Sequence, residues 1–213
     1  YLWTSQSEKL VRTDLSTGLF TVFEGPGNVE SDHPRIFEDS TGQLWWCNAA
    51  GLYLFDRNIG EMRPVETDVS IHENNISFMY ATYNNDTDEI YGTCDSGIFI
   101  FNCRTREVSI IDIFPENERD YTIMAISRWD GEFWLATSNG LVRFDPVTAE
   151  RKIYKQVDGL PSDIVYSVLG AGDELWLATH SGLCQFDYVN EKMTTYYREQ
   201  GLSHNEFNRW SSC

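Results

Sequence analysis

Apolar and polar positions fall into one short pattern five times. In its sharpest form, Gly172 to Asp187 (GDELWLATHSGLCQFD), an apolar, β-forming run at Leu175–Thr179 meets Ser181-Gly182. A second run, Leu183–Phe186, then closes on an Asp. Two short strands with glycine at the bend, where positive φ is wanted, predict a β-hairpin. The hairpin recurs at Asp130–Asp145, Asp88–Asn102 and Gly42–Asp56. A weaker copy at Tyr1–Asp14 has Lys9 where the others have the turn glycine. The aromatic markers of the first strand, Trp3, Trp45, Tyr91, Trp134 and Trp176, are spaced by 42, 46, 43 and 42 residues. Each stands 11 residues before the Asp or Asn that ends the second strand. The strands carry apolar residues at both parities (Leu183, Cys184, Phe186), as sheets covered on both faces do.

A repeat of this length, all strand and turn, predicts an all-β fold, a β-propeller of four-stranded antiparallel blades. In the fifth unit the strands are expected at about Ile164–Leu169, Leu175–Thr179, Leu183–Phe186 and Thr194–Tyr197. We expect one domain over residues 1–213, with the five markers buried between blades. The chain opens on a second strand, Tyr1–Thr4, with no inner strand before it, and ends at Ser203–Cys213 in the register of an inner strand. Strand exchange closing a five-bladed ring fits this; so does a piece of a longer protein truncated at both ends, which is the expectation adopted. An Asx recurs at Asp32, Asn75, Asp120, Asp163 and Asn205, and is expected to form turns by bonding its own backbone. The extra residues of the third unit fall at Asn84–Asp88, which reads as a polar loop.

Composition narrows the function classes. A net charge of −17 argues against nucleic acid and anionic membrane as partners, since both call for a basic footprint. No apolar stretch is long enough to span a membrane. Five cysteines with no CxxC spacing predict no disulfide framework. Four histidines without ligand spacing predict no metal site, and the absence of any phosphate or dinucleotide fingerprint predicts no cofactor. Asp39-Ser40-Thr41-Gly42 resembles the Asp-box of sialidase propellers, but its spacing to a following Thr-Trp does not match.

In a propeller, the loops entering the inner strand and those joining second to third strands crowd one face. Planar polar groups and aromatic rings there suit a saccharide. The candidate ligand-binding residues are Arg35, Arg119, Tyr121, His180, His33 and Asn139, with no catalytic residue among them. His33 and Arg35 depart from the repeat toward polar chemistry, standing where other units have Ile76 and Ile164, or Phe78 and Tyr166.

The pattern D-G-x-[LF]-W-[LI]-[AG]-T-x-x-G-[LI]-x-x-[FY]-[DN], with GLPSD at 159–163 and GLSHNEFN at 201–208, resembles the two-component regulator propeller repeat. Such repeats occur in the periplasmic sensor region of Bacteroidetes hybrid two-component system histidine kinases. The resemblance covers essentially the whole chain and is clearest in the units marked by Trp134 and Trp176. It implies about five blades of a larger, seven-bladed ring, and a non-catalytic periplasmic domain that recognises glycan-derived oligosaccharides and signals to a kinase. The implied partner is an oligosaccharide ligand, without nucleic acid or direct membrane contact in this region; a homodimer through the parent protein is compatible with it. The alternatives are a polysaccharide-active propeller enzyme (hydrolase or lyase) and a protein-interaction scaffold. The carboxylates a hydrolase would need, Asp120, Asp163 and Glu206, all occupy repeat or motif positions.

Overall fold

The computed structural model describes residues 1–6, 8–26, 34–48, 51–67, 76–94, 96–118 and 121–208. The chain divides into two compact units, Tyr1–Asp112 and Ile113–Cys213. The first unit holds three antiparallel sheets. They are β1 (Leu2–Gln6), β2 (Lys9–Thr13) and β3 (Phe20–Glu24); then β4 (Arg35–Glu38), β5 (Leu44–Asn48), β6 (Gly51–Asp56) and β7 (Glu61–Pro64); then β8 (Ser77–Asn84), β9 (Glu89–Cys94), β10 (Gly97–Asn102) and β11 (Val108–Asp112). The second unit holds two: β12 (Ile123–Trp129), β13 (Glu132–Thr137), β14 (Gly140–Phe144) and β15 (Arg151–Tyr154); then β16 (Val165–Ala171), β17 (Glu174–Thr179), β18 (Gly182–Asp187) and β19 (Lys192–Tyr196). Each sheet is a meander in chain order. The first has three strands and begins with the hairpin β1–β2, as the sequence pattern requires.

The recurring side chains explain the recurring geometry. The Asx that ends the second strand of each hairpin folds back on the turn to the next strand. Asp14, Asp56, Asn102, Asp145 and Asp187 accept the backbone N–H of Ser16, Asn58, Arg104, Val147 and Asn190 at 2.8–3.0 Å. The glycine between second and third strands is needed twice over. Gly140 and Gly182 have φ of 117° and 106°, and an added Cβ would lie 2.5 and 2.9 Å from the carbonyl oxygens of Tyr154 and Tyr196. Gly182→Ala should therefore destabilise the protein by more than about 1 kcal/mol in urea titration, whereas Gly131→Ala, equally left-handed but in open space, should cost less.

Within each unit the sheets pack face to face through one repeated contact. The marker tryptophan of a sheet meets edge-on the phenylalanine that closes the third strand of the next. Trp3–Phe55 lie at 5.5 Å and Trp45–Phe101 at 5.3 Å in the first unit, and Trp134–Phe186 at 6.0 Å in the second. An arginine also lies over each of these rings: Arg57 over Trp3, Arg106 over Trp45 and Arg143 over Trp134. At one place two sheets come closer than side chains allow. Gly170 of β16 lies against the Trp129 ring, where a Cβ would fall 2.1 Å from ring carbons.

Two expectations need correction. Trp45, Tyr91 and Trp134 are buried, but Trp3 is only half-buried, and so is Trp176. It stacks on Tyr196 of its own sheet at 5.7 Å, and no described residue of its unit packs a further sheet on that face. The segment Asn84–Asp88 is not simply a solvated loop: β8 runs to Asn84, and Asp88 is fully buried with φ of 60°. Its carboxylate accepts from the Ser40 backbone N–H and hydroxyl, the Tyr83 hydroxyl and the Arg104 guanidinium. Next to it Asp39 accepts from Thr41, Gln43 and the Trp45 indole N–H, clasping the turn into β5. Cys47, Cys94, Cys103 and Cys184 are free and buried.

Candidate functional site

The sequence-predicted residues separate. His33 and Arg119 lie outside the described residues, as do Asp32, Asn75 and Asp120. Arg35 opens β4 in the first unit, half-buried, and desolvation lowers the pKa of its guanidinium. The other three belong to the second unit. Tyr121, just before β12, stacks on Phe114 at 4.8 Å, so one face of its ring serves packing. Asn139, in the β13–β14 turn, accepts a hydrogen bond from Lys155 Nζ at 2.8 Å. His180, in the β17–β18 turn, is exposed; its Nδ1 lies 3.2 Å from the Tyr166 hydroxyl and 3.5 Å from Glu206 Oε1.

His180 stands beside the segment that forms an open cleft of about 430 Å³, lined by Arg198, Ser203, His204, Asn205, Glu206 and Asn208. The cleft is held by backbone groups and by the Asn205 side chain. The Asn205 side-chain oxygen accepts the Arg198 backbone N–H, and its carbonyl accepts the Gly182 N–H. One repeat earlier, Asp163 makes the same two bonds, to the N–H groups of Gln156 and Gly140. These two members of the recurring Asx are thus turn formers that tie a loop to the hairpin bend, as expected from their chemistry. The scaffold is the same in both repeats and only the projecting groups differ. Gln156, Pro161, Ser162, Asp163, Ile164 and Tyr166 are replaced by Arg198, Ser203, His204, Asn205, Glu206 and Asn208. The two apolar members, Pro161 and Ile164, have become the polar Ser203 and Glu206.

A second cleft, of about 580 Å³, runs past Glu132, Arg143 and Lys152. Its cations are already paired, Arg143 with Glu132 at 2.8 Å, Arg151 with Glu118 at 2.6 Å and Lys152 with Glu191, which leaves little for an anionic ligand to satisfy. Among the described residues, no group of three or more His, Cys, Asp or Glu side chains could hold a metal ion, and no helix is long and apolar enough to cross a membrane. Reading the sequence did not single out Arg198. Its position lies in a connection between strand and Asx, and the only signal was the change from Gln156 one repeat earlier.

No family model matches the chain, and a search of curated proteins finds no match. Among solved structures, the chain resembles the extracellular domain of the B. thetaiotaomicron one-component system BT4673, with 22% identity and a TM-score of 0.59 over 80% of this chain and 22% of that one. It also resembles the extracellular domain of the B. thetaiotaomicron hybrid two-component system BT3049, with 20% identity and a TM-score of 0.64 over 96% of this chain and 28% of the other. Virginiamycin B lyase from Staphylococcus aureus matches with 16% identity and a TM-score of 0.62, over 89% of this chain and 62% of that one. At such identities these likenesses show the fold, that of β-propeller blades. The chain spans about a quarter of the length of the two extracellular domains.

Proposed function

We propose that this chain is part of an extracytoplasmic ligand-sensing domain of a two-component sensor, that it is non-catalytic, and that its ligand is a glycan-derived oligosaccharide. The likeness to extracellular domains of such systems supports the sensory reading. The observation that carries the ligand class is the cleft beside His180. There, planar amide, imidazole and guanidinium groups and a hydroxyl project from a hydrogen-bonded scaffold that in the preceding repeat holds Pro161 and Ile164. Paired donors and acceptors on fixed loops, with the Tyr166 ring near His180 at 6.3 Å, suit sugar hydroxyls and the C–H face of a pyranose.

Calorimetric titration with a panel of oligosaccharides, run beside a turnover assay on the same panel, tests this. Saturable binding without product is the expected result. His180→Ala should weaken it several-fold, the effect of losing about one hydrogen bond. The likeness to a lyase gives the enzyme reading its support; release of unsaturated or hydrolysed product would establish that reading and overturn ours.

A further inference from the structure

Arginines in this protein are as a rule taken. Arg57, Arg63, Arg104, Arg143 and Arg151 pair with Glu38, Asp56, Asp88, Glu132 and Glu118 at 2.6–2.8 Å. Arg198 differs. Its backbone N–H is held by Asn205, yet among the described residues its guanidinium has no ion-pair or hydrogen-bond partner, although the chain carries 33 acidic residues against 16 basic ones. Arg198 is exposed and lines the cleft together with His204. Relative to the preceding repeat the cleft gains a positive charge (Gln156 to Arg198), loses a negative one (Asp163 to Asn205) and gains a negative one (Ile164 to Glu206), for a net change toward positive. Glu206 lies within 3.5 Å of His180, on the side of the cleft served by the β17–β18 turn.

We propose that the cleft selects a saccharide bearing a carboxylate, a uronic acid residue. Arg198 receives the carboxylate, and Asn205, Glu206 and Ser203 receive hydroxyls. A guanidinium offers two parallel N–H groups that match a carboxylate, and a fork with no partner among the described residues keeps that capacity for a ligand. The acidity of the domain as a whole does not oppose this, because charges farther than about 8 Å are screened at physiological ionic strength. A uronate also explains why the cleft retains hydroxyl and amide groups, which a bare anion would not need.

This inference rests on the cleft being the saccharide site proposed above, and the test separates the two. The probes are trigalacturonic acid and a glucuronic acid disaccharide, each titrated beside its neutral methyl ester and beside neutral oligosaccharides. The acid forms should bind at least tenfold more tightly than their esters. Arg198→Gln restores the residue that the same scaffold carries at Gln156; it should remove that preference, weakening the acid forms at least tenfold more than the esters. Equal binding of acid and ester, or an Arg198→Gln variant that weakens both alike, overturns the inference. Binding of neutral oligosaccharides alone overturns it while sparing the saccharide site. Binding of none of the probes overturns both.

Discussion

Trp134→Ala should lower the stability of the protein by about 3–5 kcal/mol, the cost of emptying a fully buried tryptophan site. Trp134 has no exposed surface. It meets Phe186 edge-on at 6.0 Å, lies nearly parallel to Tyr154 at 6.3 Å, and is covered by Arg143. These contacts join the two sheets of the second unit, so the loss is felt on both. Trp176→Ala, at the same position one repeat later, should cost less than about 2 kcal/mol, because that ring is half-buried and among the described residues its one ring stack is on Tyr196. Urea unfolding of the two variants side by side measures the difference. Equal losses would mean that the two markers are equally enclosed, contrary to the packing described.

The second large effect is expected at Asp88. Burial works against its charge, but the bonds from Ser40, Tyr83 and Arg104 outweigh burial, and the carboxyl sits well below the usual carboxylate range. A carboxyl depressed on folding adds stability above its unfolded value near 4, and that stability is lost as pH falls through the folded value. The protein should therefore weaken steadily below about pH 4. Asp88→Asn, which tolerates the left-handed backbone there, should flatten that acid limb and lower stability at neutral pH by about 3 kcal/mol. This is the low end of the cost of breaking a buried ion pair, since the largely exposed Arg104 can rehydrate. Stability measured from pH 2 to 8 for both proteins decides it; parallel curves would mean that Asp88 does not carry the acid sensitivity.

The architecture was legible because a hairpin is a local object. Spacing from marker to glycine to Asp fixes strand, bend and strand within sixteen residues, and five repetitions of it imply stacked sheets. Asp88 was not legible, because its partners lie 48 residues before it, at Ser40, and 16 after it, at Arg104. A buried polar cluster assembled across two sheets leaves no period in the sequence. Trp176 was misjudged for the opposite reason: repetition gave it the same surroundings as Trp134, whereas burial depends on what stands beyond the sheet. At the cleft, His180 was visible as a polar residue at a turn, while Arg198 was visible only once the backbone bonds of Asn205 and Asp163 aligned the two repeats residue by residue.

The bare backbone at Gly170, pressed against the Trp129 ring, makes the fourth and fifth repeats a matched pair instead of interchangeable bricks. A hybrid that set the β16–β19 module beside a donor lacking an indole there would leave a void, and one that supplied any larger residue at 170 would wedge the layers apart. Shuffling modules among repeats of this kind should therefore succeed when such neighbours travel together and fail when they are parted.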